Sequence, residues 1–114
     1  PLATCDFLTV PELPFTAAGL HAGGNDDQRG CLVNGASAAE QAAINIRRYD
    51  SADAAAQFVR EFPQGEPYSG TMGDTAATAV AVHGAEVITV QLQAPTGDLQ
   101  ALAVATAEGA ADSL

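Results

Sequence analysis

The segment Thr75-Ala76-Ala77-Thr78-Ala79-Val80-Ala81-Val82-His83-Gly84-Ala85-Glu86-Val87-Ile88-Thr89-Val90-Gln91-Leu92-Gln93 decides the fold class. Its second half alternates: Val87, Thr89, Gln91 and Gln93 oppose Ile88, Val90 and Leu92, the period of a strand with one buried face. His83-Gly84 supplies a turn, and the first half, despite its alanines, runs into Val80 and Val82 as a partner strand. The two halves read as a β-hairpin whose apolar side needs a second layer.

Outward from the hairpin, Ala42 to Tyr49 alternates in the same way. Ile44, Ile46 and Arg48 share one face, and Asn45, Arg47 and Tyr49 the other, so one arginine of the pair must meet a partner, an edge or an open face. Arg29 to Asn34 leads through Cys31, Leu32 and Val33 into another strand, and Asn34-Gly35 begins a connection looser than a two-residue turn. Asp50 or Ser51 can cap a helix in which Ala55, Phe58, Val59 and Phe62 form one apolar stripe, stopped by Pro63; these side chains are expected to pack on the sheet. Asp98 caps a final helix carrying Leu99, Leu102, Ala103, Thr106 and Ala110 on one side, where Gly109 weakens the last turn by about 1 kcal/mol relative to alanine. Near the start, Thr9, Glu12, Leu8, Leu13 and Pro11 match a capping box with a hydrophobic staple, which predicts a short helix, limited by Pro14, ending near Gly19. His21 to Gln28 has no apolar period and reads as an exposed loop, as does most of Gln64 to Asp74. The expected architecture is α+β: one domain over residues 1–114, with an antiparallel sheet of about four to five strands and helices packed against it.

Fourteen acidic residues face four arginines and no lysine, for a formal net charge of −10 and a pI near 4.1. Nucleic-acid backbones and anionic lipid surfaces would be repelled at long range, so neither is an expected partner. The charge serves solubility; a cationic partner or divalent metal is its sharper use. The chain is 47% hydrophobic, but much of that is alanine, and aromatic residues make up 5% with no tryptophan. The core must therefore be thin. No run reaches the roughly 18 apolar residues that span a bilayer.

Cys5 and Cys31 are the only cysteines. Their spacing excludes a CxxC motif, and no histidine cluster surrounds either. Free thiols in a cytosolic protein are one reading; the preferred one is a disulfide in an oxidising, extracytoplasmic compartment. Leu2-Ala3-Thr4-Cys5 brushes against a lipidation box, but Thr4 is a poor residue before a cleavage point and acylation would strand Cys31.

Chemistry-bearing motifs are sparse. The chain contains no GxSxG, P-loop, GxGxxG or HExxH. His21 and His83 both fall in predicted turns far apart in sequence. Asn25-Asp26-Asp27 offers oxygen ligands, yet lacks the alternating acidic pattern of a calcium loop, and no metal or cofactor is expected. Tyr68-Ser69-Gly70-Thr71-Met72-Gly73-Asp74 is the nearest to a functional loop: its glycines expose backbone N–H groups, while Tyr68, Ser69, Thr71 and Asp74 supply side-chain oxygens for a possible binding loop.

Cys5-Asp6-Phe7-Leu8-Thr9-Val10-Pro11-Glu12, then Gly30-Cys31-Leu32-Val33, then Gly73-Asp74-Thr75-Ala76 before a hairpin and an alanine-rich last helix together resemble a family of actinobacterial cell-envelope lipoproteins of unknown function. The resemblance implies export, a Cys5 to Cys31 bridge and an α+β sandwich like the PsbP-type fold, and it carries over no catalytic residues. The function expected is a non-enzymatic binding or interaction module, secreted or lipid-tethered at the cell envelope, with membrane attachment only through an anchor upstream of residue 1. The alternatives are a ligand-sensing domain of a larger receptor, a small secreted enzyme inhibitor and, last, a small hydrolase using His21 or His83.

Overall fold

The computed structural model describes residues 3–5, 8–10, 13, 15–61, 76–95 and 98–114, with 3–5 and 8–10 described by their backbone alone. Along the chain these form β1 (Ala3–Cys5), β2 (Leu8–Val10), β3 (Gly19–Gly24), β4 (Gln28–Asn34), β5 (Gln41–Arg48), α1 (Ala52–Glu61), β6 (Ala76–His83), β7 (Glu86–Gln93) and α2 (Leu99–Ser113). β1 and β2 make a small antiparallel hairpin, and the other five strands form an antiparallel sheet in the order β3-β4-β5-β7-β6. The class is α+β, with seven strands, five of them in the main sheet, and two helices among the described residues.

The alternating segments behave as their period requires. Cys31 and Val33 of β4, Ala42, Ile44 and Ile46 of β5, Ile88, Val90 and Leu92 of β7, and Ala77 and Ala79 of β6 all project to one face and are buried there. Removing a side chain such as Ile44 or Leu92 from water contributes about 1.5–3 kcal/mol. α2 covers this face through Leu99, Ala103, Ala107, Ala110 and Ala111, lying mainly over β6 and β7. Alanine meets alanine across that contact, which lets helix and sheet approach closely and explains how an aromatic-poor chain closes a core. Asp98 caps α2 as expected, its Oδ1 accepting from the Ala101 N–H at 3.3 Å. The β6–β7 hairpin turns on Gly84-Ala85; a positive φ of 59° at Gly84 alone matches the first position of a type II′ turn.

Two expectations near the N-terminus are corrected. No helix starts at Leu8: Leu8-Thr9-Val10 is β2, paired with Ala3–Cys5, and the chain reaches β3 at Gly19. Thr9 and Val10 are β-branched, and Pro11 and Pro14 both lack the N–H that an extending helix would use, so extended pairing prevails over the cap. The predicted loop at His21 to Gln28 is also a hairpin. β3 is a glycine-rich, mostly exposed edge strand whose order comes from its backbone ladder to β4, with the turn confined to Asn25-Asp26-Asp27. Asn25 Oδ1 accepts from the N–H groups of Asp27 and Gln28 at 2.9 and 3.1 Å, closing an Asx turn.

The first long helix is placed as expected, with Ser51 Oγ accepting from the Ala54 N–H at 3.1 Å, but its aromatic stripe is not a core stripe. α1 lies against β6 and β7, and Ala55 and Val87 are buried outside the main core. Phe58 instead stays 37% exposed, with its ring 5.7 Å from that of Tyr49. The other predicted stripe member, Phe62, lies outside the described residues.

Candidate functional site

β5 ends between two hairpin turns. The Arg48 N–H donates to the Asp27 carbonyl at 2.8 Å, and the Tyr49 N–H donates to the Ala85 carbonyl at 2.7 Å. Because Arg48 continues the side of the sheet occupied by Ile44 and Ile46, it projects beyond the last apolar row of the covered face. Arg29 on β4 and Glu86 on β7 lie on that same side. The apolar core thus ends in a cluster of two guanidinium groups and one carboxylate.

The two arginines are held differently. Arg29 Nη1 lies 2.9 Å from Glu86 Oε2 and 3.3 Å from the Asp26 carbonyl, and both charged side chains of the pair are largely shielded, at 17% and 16% exposure. Glu86 Oε2 accepts no well-aligned hydrogen bond despite this proximity, so the contact is an ion pair rather than a directional bond. Arg48 Nη2 stands 4.0 Å from the same oxygen, with its side chain 48% exposed, and makes no side-chain hydrogen bond among the described residues. One carboxylate therefore serves two guanidinium groups, and the planar donor fork of Arg48 remains turned to solvent.

These groups open into a cleft of about 460 Å³ walled by Ala22, Gly24, Asn25, Asp26, Arg29 and Arg48. Gly24 is required at the hairpin corner: its φ is +118°, and a Cβ there would stand 2.4 Å from the Gln28 carbonyl oxygen and 2.5 Å from Arg29 Cα. The lining contains no Ser, Thr, Cys or His. What it can do is hold a small oxyanion through the bidentate donors of Arg48, with Arg29 held behind by Glu86 and the Asp26 carboxylate disfavouring highly charged ligands.

The residues singled out in the sequence fall elsewhere. Cys31 is buried in β4 at 3% exposure; Cys5 lies in β1, with its side chain outside the described residues. Tyr68, Ser69, Thr71 and Asp74 all lie outside the described residues. His21 and His83 sit on β3 and β6, the two opposite edges of the sheet, and are not brought together. Among the described residues no three His, Cys, Asp or Glu side chains converge, and no helix is long and apolar enough to cross a membrane. Arg47, on the far face from Arg48, has its guanidinium carbon 5.2 Å above the Tyr49 ring. Neither Arg29 nor Glu86 stands out in the sequence. The available signal is parity, since Arg29 lies two residues before Cys31, and Arg48 two after Ile46, on the apolar face of each strand.

Compared with protein-family models, curated proteins and solved structures, the chain finds no match.

Proposed function

We propose that the chain is a non-enzymatic, extracytoplasmic binding module, secreted or lipid-tethered, that takes a small carboxylate-bearing ligand on Arg48. The observation that carries this reading is the sharing of Glu86 between Arg29 and Arg48, two residues that line an open cleft, which leaves one guanidinium with donors to spare in a chain of net charge −10. The planar fork of Arg48 can meet a carboxylate with two parallel N–H···O contacts, which favours this ligand class.

The same proposal includes a Cys5 to Cys31 disulfide. Supporting it are the burial of Cys31, the absence of a free cysteine among the described residues, and the position of β1, which lies against β3, where Ala22 pairs with Cys31. Such a bridge would tie the β1–β2 hairpin to the sheet, and it accords with an oxidising compartment.

Titration of ¹⁵N-labelled protein with acetate, lactate and inorganic phosphate at fixed ionic strength tests the ligand assignment. Saturable shifts confined to residues 22–29 and Arg48, stronger for the carboxylates and lost in Arg48→Gln, are expected. Shifts scattered over the surface, or unchanged by Arg48→Gln, would overturn it.

A further inference from the structure

The arginine cleft carries two opposite charges that do not meet. Arg48 stands 4.0 Å from its nearest carboxylate oxygen, that of Glu86, and the same oxygen is engaged more closely by Arg29 at 2.9 Å. Asp26 lines the cleft from the tip of the β3–β4 hairpin. Its carbonyl accepts from Arg29 Nη1 at 3.3 Å, while its carboxylate, on an exposed residue, makes no ion pair or hydrogen bond among the described residues. Arg29 and Glu86 offset one another, so the cleft offers one cation and one anion, Arg48 and Asp26, each with capacity for a further partner.

The backbone tethers these two residues although their charged ends stay apart. The Arg48 N–H donates to the Asp27 carbonyl at 2.8 Å, which joins the end of β5 to the hairpin tip one residue beyond Asp26. The tip itself is shaped by the Asx turn at Asn25 and by the positive φ of Gly24. Ala22, Gly23 and Gly24 on the same lining add no charge, so selection between charged ligands falls to Arg48 and Asp26.

We propose, resting on the assignment of a carboxylate to Arg48, that the ligand is a small zwitterionic amino acid, its carboxylate held by Arg48 and its ammonium by the Asp26 carboxylate. A simple monocarboxylate satisfies only half of this pair. It leaves Asp26 unmatched and enters a chain of net charge −10 against the prevailing field. A simple amine, conversely, leaves Arg48 unmatched. A zwitterion brings no net charge into that field, and each of its ends meets a group of opposite sign.

Two pairs of probes isolate the ammonium: L-alanine against L-lactate, and γ-aminobutyrate against γ-hydroxybutyrate. Each pair exchanges ammonium for hydroxyl, with a short and a long span between the ends. Isothermal titration of the full chain at neutral pH and constant ionic strength is expected to show saturable one-site binding, with the amino acid of at least one pair about fivefold tighter than its hydroxy acid, the upper end for an exposed ion pair. Asp26→Asn should weaken that amino acid and leave the hydroxy acid unchanged or tighter, because a repulsion is removed with the attraction. Asp112→Asn, which alters the net charge equally but at an exposed position of α2, should move neither, and Arg48→Gln should weaken all four ligands. Thermal melts of the variants check that the fold is kept. If binding depends on Arg48 but is equal within both pairs, keeps its preference in Asp26→Asn, or responds equally to Asp112→Asn, the zwitterion assignment alone is overturned. Absence of binding by all four ligands, or binding indifferent to Arg48→Gln, overturns the carboxylate reading and this inference with it.

Discussion

Arg29 on β4 reaches over the width of β5 to Glu86 on β7, Nη1 to Oε2, at 2.9 Å. This pair spans three adjacent strands at the end where the apolar core stops, and it fixes the inner wall of the cleft. Removing either side leaves a shielded charge less well compensated, since Arg29 keeps contacts such as that to the Asp26 carbonyl and Glu86 only the more distant Arg48. Glu86→Gln should lower stability by about 1–3 kcal/mol, between the exposed and fully buried limits for ion pairs. Urea unfolding of Glu86→Gln, Arg29→Gln and the double variant checks this; the double should cost less than the sum of the singles, and strict additivity would show that the pair is not coupled.

The corner at Gly24 makes a second prediction. With φ at +118° and the Gln28 carbonyl 2.4 Å from a built Cβ, Gly24→Ala must move the β3–β4 turn. A loss of about 1–3 kcal/mol follows from the backbone strain. The amide resonances of Asn25 to Arg29 should shift with it. By contrast, Gly23→Ala meets nothing within 4 Å and should be tolerated.

The alanine contact between α2 and the sheet predicts intolerance to enlargement. Ala103 is fully buried over the core, and Ala103→Leu should destabilise by about 1–3 kcal/mol through overpacking. Ala101→Leu, at an exposed position of the same helix, serves as the control and should lie within about 0.5 kcal/mol of the parent. Thermal melts of the two variants distinguish a packing effect from one of helix propensity.

For the proposed Cys5 to Cys31 bridge, denaturing mass spectrometry with and without reductant should differ by two hydrogens. Cys5→Ser should lose up to about 3.5 kcal/mol on the chain-entropy account. Equal masses would remove the bridge and, with it, the main argument for export.

The sequence made the helices and the three inner strands legible because each carries a side-chain period, as in Ile44–Ile46 or Ile88–Val90–Leu92. It also announced the caps, Ser51 and Asp98, since a cap is a local contact. β3 was not legible: Gly19–Gly24 is held by its ladder to β4, and backbone pairing leaves no pattern in side chains. At β2, Thr9-Val10 followed by Pro11 satisfied a cap motif and a strand equally, and long-range pairing decided. The cleft escaped for a different reason. Arg29, Arg48 and Glu86 come from three strands, and only the registers Arg29 to Ile46 and Arg48 to Glu86 bring them together.

Arg48 is the residue on which the functional account depends. Isothermal titration of the parent and of Arg48→Gln with lactate, at constant ionic strength, measures it most directly. The account predicts saturable one-site binding to the parent and at least about a tenfold weakening in the variant, the loss expected for one charge-assisted contact. Equal binding by the two proteins, or none by the parent, would contradict it.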